Sequence, residues 1–266
     1  MFPNLSALSK HGRITERVPF FATKPGVETP DAESATQRSW ICYTFTADWR
    51  IYYPIHMVVV SLVQIVLFYV IDTMALLGLP VPVTQPNVWK VVGCLFAHVN
   101  AWHLWNNMLV QLTLGVVFEV LHGFWGCAAI YWLSGIFGTL FQVNVWATPP
   151  GVLLGASSAG YGLIGAYAAS LIMNWSDWSD TPLKWQWFIF LLIVLIAEIV
   201  TYATNATPNI AHGAHLGGFF YGLCIGCAAV QNVRILPCET YVRLVAGIVT
   251  IGTGIACAVV FAVHVV

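Results

Sequence analysis

The sequence predicts an all-α polytopic membrane protein with seven transmembrane helices. Of its 266 residues, 59% are hydrophobic and only 8% are charged, and the mean hydropathy is +0.78. Because an ordinary soluble domain carries about 25% charged residues, this chain has too few charges to cover a surface in water. Apolar stretches of about 18 residues or more, the length that crosses a bilayer core, also recur along the chain.

The N-terminal tail differs in composition from everything that follows it. Residues 1–50 are polar, with scattered proline, serine and charge, so we expect this tail to be poorly ordered. It contains no apolar signal-peptide core. The first apolar span is therefore expected to direct insertion into the membrane.

Seven apolar segments follow the tail and are predicted to be helices that cross the bilayer. They cover residues 54–71, 102–121, 125–146, 152–173, 187–204, 211–230 and 242–263. The segment 74–101, between the first two spans, is interrupted by Pro80, Pro82 and Pro86. This stretch is too irregular to span and too apolar for water, so we interpret it as an interfacial loop. Cysteines fall mostly inside the spans and are interpreted as apolar filler.

The basic residues predict the orientation, because they concentrate on the cytosolic side of membrane proteins. Six lie in the tail, and three more lie in the connections after the fourth and sixth spans, against Lys90 alone in the 74–101 loop. The N-terminus is therefore predicted to be cytosolic and the C-terminus external or lumenal. The second, fourth and sixth spans then all begin on the external side.

Polar side chains open these three spans at matching membrane depth. They are His103 and Asn107 in the second span, Ser157 and Ser158 in the fourth, and His212 and His215 in the sixth. Polar and ionisable groups inside spans are costly and usually mark a function. Taken singly, each has a plainer interpretation: a serine that packs helices, or a histidine such as His98 or His212 with its tip in interfacial water.

Serine and histidine brought together in this way suit acyl transfer. Neutral histidine is the usual base for a serine nucleophile, and a helix N-terminus supplies N–H groups to a developing oxyanion. No aspartate lies at a suitable depth to complete a triad. Glu198 in the fifth span is the most costly polar group, and the sequence offers no partner for it. A Ser–His dyad is the economical prediction.

A glycine row indicates how two of these spans meet. Gly218, Gly222 and Gly226 recur every four residues in the sixth span, a pattern that lets helix backbones approach closely. The fourth span offers a matching small face, made of Ser158, Gly162, Ala166 and either Ala169 or Ser170. We expect these faces to pack, which would bring a serine of one span to a histidine of the other.

These motifs resemble those of the rhomboid family of intramembrane serine proteases. The likeness lies in "GAS" at residues 155–157, "AHLGGFFYG" at 214–222 and "HVNAWHLWNNM" at 98–108. The resemblance implies that Ser157 is the nucleophile and His215, not His212, the base. It further implies oxyanion roles for His103 and Asn107, a ring packed on the catalytic imidazole for Tyr161, and a structural loop role for His98.

The resemblance also implies an architecture and a setting. Residues 51–230 would form a rhomboid-like six-helix catalytic core, and residues 231–266 the connection and a seventh helix, as in six-plus-one members of the secretory pathway or plasma membrane. Substrates would be single-span membrane proteins within the lipid bilayer, with no cofactor, metal or nucleic acid. Two departures stand out: Ser158 replaces the usual glycine beside the nucleophile, and Lys90 replaces an arginine after Trp89.

Two other functions stay open from the sequence. A rhomboid-like adaptor would bind client transmembrane helices without cutting them, although it would be expected to lack the nucleophile or the base. A transporter or metal site would use the imidazoles of His98, His103, His212 and His215, which suit Zn²⁺. The sequence shows no carboxylate or cysteine cluster to join them and no inverted repeat.

Overall fold

A computed structural model describes residues 53–146, 151–175, 182–204, 210–229 and 237–264. The predicted tail at residues 1–50 lies outside these ranges. Helices occupy all seven segments predicted to be spans. The helices are α1 (Ile55–Val70), α2 (Thr73–Leu77), α3 (Lys90–Gly93), α4 (Ala101–Val110), α5 (Val116–Val145), α6 (Ser157–Met173), α7 (Pro182–Thr204), α8 (His212–Ala229) and α9 (Pro237–His264).

The second and third spans form one continuous helical stretch with a sharp break. A π-helical turn, Gln111–Gly115, joins α4 to α5, and α5 is interrupted at Gly123, whose φ of 81° and ψ of 167° are not helical. Glycine tolerates this backbone conformation because it has no Cβ. The thiol of Cys127 lies 3.6 Å from the carbonyl oxygen of Gly115, 12 residues earlier, so the chain folds back there, as the sequence predicted between residues 121 and 125.

Length and hydropathy identify three of the described helical stretches as able to cross a membrane. They are Ala101–Val145, Lys184–Thr204 and Glu239–Val263, and Ile55–Val70 is a shorter apolar helix. Helix α6 has 17 residues, just below the usual spanning length. These findings confirm the predicted fold class of an all-α multi-pass membrane protein.

The 74–101 segment is more ordered than an irregular interfacial loop. It contains α2, α3 and a three-residue strand, β1 (Leu79–Val81), which pairs antiparallel with β2 (Gly151–Leu153). This pairing corrects the predicted start of the fourth span at residue 152, because residues 151–153 are held as a strand and the helix begins only at Ser157. Within this segment, Lys90 donates one hydrogen bond to the carbonyl of Ala75, at 3.2 Å.

The centre of the molecule is a close packing of α5, α6 and α8. A Cβ added at Gly222 would overlap the carbonyl oxygen of Gly162, and one added at Gly218 would overlap that of Ser158. At Gly226 the added atom would lie 2.6 Å from the Cβ of Ala169. The glycine row of the sixth span therefore lies directly against the small face predicted for the fourth.

Helix α7 lies at the edge of this centre. None of its residues from 185 to 204 is buried, and its main aromatic contact is Trp187 stacked on Tyr167 of α6, with ring centroids 4.5 Å apart. The fifth span is therefore far less enclosed by protein than α6 or α8.

A buried carboxylate of α5 binds the first turn of α1. Glu119 in α5 is 2% exposed and accepts hydrogen bonds from the backbone N–H groups of His56, at 2.8 Å, and Met57, at 2.9 Å. It thus satisfies the first turn of α1, whose N–H groups have no partner within the helix.

Candidate active site

Ser157 is the first residue of α6, at a helix terminus with no side-chain cap. The residue before it, Ala156, has φ −77° and ψ 1°. Gly155 has φ +119°, and its N–H donates to the carbonyl of Cys94 at 2.9 Å. A Cβ at this glycine would lie 2.7 Å from Cε1 of His103, so both the backbone angle and the space require glycine. The uncapped first turn leaves N–H groups beside Ser157.

Ser157 meets His215 across the interface between α6 and α8. The Oγ of Ser157 lies 2.9 Å from Nε2 of His215, although the residues are 58 positions apart in the chain. The ring of Tyr161, one turn beyond the serine, stacks on the imidazole with centroids 4.2 Å apart and an interplanar angle of 13°. The side chains are therefore placed for proton transfer from the hydroxyl to the imidazole.

Ser158 faces away from this pair. Ser158 is 2% exposed, and its hydroxyl donates to the carbonyl oxygen of Gly135 in α5, at 3.2 Å. The hydroxyl therefore belongs to the packing between α5 and α6.

The second span brings its polar residues to the same end of the bundle. His103 packs against Gly155, and its backbone N–H is capped by the Oδ1 of Asn100 at 2.8 Å. Asn107 is 7% exposed and donates one amide hydrogen to the carbonyl of His103, at 3.0 Å. Its amide has a second N–H in addition to the one used here.

His98 supports His103 from the loop rather than reaching water. It is 2% exposed, and its ring meets that of His103 edge-on, with centroids 5.2 Å apart. Burial lowers the pKa of His98 to about 4, and the neighbouring His103 acts in the same direction. The expectation that His98 has its tip in interfacial water is wrong, because the residue is buried beside Thr73 and His103.

Glu198 is the site residue that the sequence did not identify. Its Oε1 and Oε2 lie 3.1 and 3.2 Å from Nδ1 of His215, the nitrogen opposite Ser157. Oε1 also lies 2.7 Å from Nδ1 of His212, and Oε2 accepts a short hydrogen bond from the hydroxyl of Tyr161. The side chain of His212 is 13% exposed, so most of its surface is covered by protein.

Two clusters among the described residues have the spacing of metal ligands. In one, the ligand atoms of Glu198, His212 and His215 lie within 4.8 Å of one another, and the other comprises His56, Glu119 and Cys127. The first differs from the set of four histidines considered from the sequence, because a carboxylate takes the place of His98 of the loop and His103 of the second span. In both clusters the carboxylate already accepts hydrogen bonds from protein groups.

An apolar cavity of about 310 Å³ opens beside the pair, between α6, α7 and α8. Its walls include Ile164, Leu195 and Phe219, and Tyr161, Glu198 and His215 lie along it. The reactive side chains therefore adjoin a space suited to an apolar chain.

Comparison with known proteins gives consistent matches. The Rhomboid domain family model matches residues 85–232. "Rhomboid-related protein 1" of Caenorhabditis elegans is 30% identical over 169 residues, which cover 62% of this chain and 46% of that protein. "Rhomboid-type serine protease 2" of Emericella nidulans is 28% identical over 57% of this chain and 29% of that protein.

"Rhomboid-like protease 3" of Toxoplasma gondii is 28% identical over 57% of this chain and 55% of that protein. The chain thus spans about half or less of the length of the C. elegans and E. nidulans relatives. The matched region contains the second to sixth spans and every polar residue of the site described above.

Proposed function

Because the chain belongs to the rhomboid family, we propose that it is an intramembrane serine endopeptidase that cleaves single-span membrane proteins in or near their transmembrane segments. The observation that supports this best is the 2.9 Å contact between Ser157 Oγ and His215 Nε2. It joins two helices at a site bordered by an apolar cavity, and some relatives are named as serine proteases.

In the proposed reaction, His215 Nε2 accepts the hydroxyl proton as Ser157 Oγ attacks the scissile carbonyl carbon. The tetrahedral oxyanion is stabilised by N–H groups of the first turn of α6, with His103 and Asn107 as further donors. The protonated imidazole then gives its proton to the leaving amine, and the acyl-enzyme forms. Water, deprotonated by His215, hydrolyses the ester and regenerates the serine.

The proposed substrate class follows from the surroundings of the site. The cavity walls are apolar, and α7, which forms one of them, has no buried residue from 185 to 204. A mostly apolar transmembrane segment can contact such walls without leaving polar backbone groups unsatisfied, provided that it unwinds only near Ser157.

A fluorophosphonate probe tests the proposed activity. Full-length protein in detergent micelles should be labelled covalently, and Ser157→Ala should abolish the labelling at equal protein level. Co-expression with single-span test proteins should release their ectodomains with wild type and not with Ser157→Ala. An unlabelled wild-type protein that still binds these test proteins would instead favour the non-cleaving adaptor.

We also propose that the site faces the external or lumenal side, because nine of ten basic residues lie on the other side of the predicted topology. A C-terminal tag should resist protease added to intact microsomes, and an N-terminal tag should be digested. The reverse pattern would contradict this orientation.

A further inference from the structure

We propose that Glu198 is a positioning residue that fixes the tautomer and orientation of His215, so that the reactive unit is Ser157–His215–Glu198 rather than a dyad. This inference rests on the proposed function. Glu198 lies on α7, whereas the other two residues lie on α6 and α8. The sequence placed no partner beside it.

The two nitrogens of His215 face different groups. Nε2 lies 2.9 Å from Ser157 Oγ, and Nδ1 lies 3.1 and 3.2 Å from the two oxygens of Glu198. To accept the serine proton, Nε2 must hold the lone pair, which places the ring hydrogen on Nδ1. An ionised carboxylate can only accept hydrogen bonds, so it favours this tautomer.

The carboxylate is itself held in place from both neighbouring helices. Tyr161 of α6 donates its hydroxyl to Oε2, and His212 of α8 lies with Nδ1 2.7 Å from Oε1. Tyr161 also stacks on His215, so one side chain fixes both the ring plane of the base and the carboxylate behind it. Glu198 therefore has a defined position even though no residue of α7 from 185 to 204 is buried.

The surroundings increase the effect of the charge. Leu195 and Phe219 line the cavity beside Glu198, and the glutamate side chain is 21% exposed. When His215 accepts a proton, the imidazolium forms next to a carboxylate in surroundings with little water, where opposite charges attract more strongly than in bulk solvent. A neutral group at this position would not stabilise that charge.

The main competing explanation is that Glu198 only ties α7 to the bundle. Its three partners belong to α6 and α8, so removing the carboxylate would loosen α7 under either explanation. The two differ in what happens to the His215 ring. A tie between helices predicts no change in which imidazole nitrogen carries the hydrogen, whereas a positioning role predicts a change.

The test uses Glu198→Gln, which keeps the shape and removes the charge. We expect the rate of fluorophosphonate labelling to fall by about 100-fold or more, the range that general base catalysis contributes. Thr201→Val on the same helix is the matched control, since its hydroxyl donates only to Ala197 within α7, and it should label at the wild-type rate. Ser157→Ala should not label at all.

Nitrogen-15 NMR of histidine-labelled protein in micelles supplies the second readout. In wild type, His215 should show a protonated Nδ1 and an unprotonated Nε2, with the signals assigned by their loss in His215→Gln. In Glu198→Gln, whose amide can either donate or accept, the two tautomers should mix. In Thr201→Val the pattern should stay as in wild type.

Each remaining outcome has one meaning. Wild-type labelling in Glu198→Gln with an unchanged tautomer would overturn the positioning role and leave the protease proposal intact. Faster labelling would overturn it as well, since the carboxylate would then restrain the site. Wild-type protein that does not label, or a labelled Ser157→Ala, would instead overturn the proposed function itself.

Discussion

The interface between α6 and α8 and the contact of α7 with the same helices are built in opposite ways. At the first, glycines let backbones touch: a Cβ at Gly222 would overlap the carbonyl of Gly162. At the second, no residue of α7 from 185 to 204 is buried, and the carboxylate of Glu198 makes the polar contacts near the site.

This difference separates two ways of fixing a side chain. The positions of Ser157 and His215 depend on how closely two backbones approach, so they should be sensitive to volume added far from the site. The position of Glu198 depends on three hydrogen-bonding groups, so it should be sensitive to polar substitutions and tolerant of changes in the packing of α7. Substitutions at the two interfaces, and at His98 in the loop beside α4, should therefore have effects of different sizes.

The largest effect is expected at the nucleophile. Ser157→Ala should eliminate fluorophosphonate labelling and ectodomain release, because no other hydroxyl lies 2.9 Å from His215 Nε2 among the described residues. Ser158→Ala should retain activity within a few-fold, because its hydroxyl donates only to the carbonyl of Gly135. If Ser158→Ala were inactive and Ser157→Ala active, the assignment of the nucleophile would be wrong.

Activity should be lost almost as completely when a large side chain is placed in the interface between α6 and α8. Gly222→Leu should reduce labelling by about 100-fold, because a displacement of about 1 Å between catalytic groups has effects of that size. His215→Ala is the reference for complete loss of the base. Both are compared on correctly inserted protein.

Helix α9 offers a matched control for this substitution. No described atom lies within 4 Å of a Cβ added at Gly252. Gly252→Leu should therefore insert and label like wild type. Full activity in Gly222→Leu would show that the geometry of the pair does not depend on glycine packing.

A smaller loss is expected where only one partner of Glu198 is removed. His212→Ala deletes the group 2.7 Å from Oε1 and leaves the contacts of Glu198 with His215 and Tyr161. The labelling rate should fall by about tenfold, because one hydrogen bond to a charged group contributes at least roughly 1.5 kcal/mol, and the loss should stay at this lower end since two others remain. A loss greater than that of His215→Ala would indicate that His212 is the base.

The smallest effect concerns the loop that supports His103. Burial holds the pKa of His98 at about 4, below its ordinary value of 6.5, so the fold favours the uncharged ring. Its contribution to stability is complete above pH 6.5 and is lost as the pH falls towards 4, on the order of 3 kcal/mol in total.

This contribution is measurable as a difference between variants. The midpoint of thermal unfolding in micelles should fall less steeply between pH 6.5 and 4 in His98→Gln than in wild type. The other ionisable groups are present in both proteins, so the difference in slope reports the removal of the His98 ring. Identical slopes would contradict the buried, uncharged state of this ring.

Much of the fold could be predicted because its signals are local. Apolar length marked the seven helical segments, and the glycine spacing indicated the face of α8 that meets α6. The strand pairing that delays the start of α6 to Ser157 could not be predicted, because β1 and β2 have three residues each, too few to show the two-residue period of a strand.

Glu198 shows a different limit. It lies six residues before the end of α7, about 9 Å along the axis, whereas His215 lies three residues into α8, about 4.5 Å along. Counted from the helix ends, Glu198 and His215 therefore lie about one helical turn apart in depth. Their contact depends on the tilt and rotation of α7 and on the length of the glutamate side chain, none of which leaves a pattern in the sequence. The roles assigned to Ser157 and His215 stay predictions that labelling would test.

The carboxylate of Glu119 has a consequence for the order in which the protein is made. The first turn of α1 leaves the ribosome 63 residues ahead of the side chain that satisfies the N–H of His56. Until the second span has entered the bilayer, that turn must rely on water and lipid headgroups. The first span is therefore inserted before its N-terminal turn has its hydrogen-bond acceptor. The earliest intermediate in which the N–H of His56 can reach Glu119 is a hairpin of the first two spans.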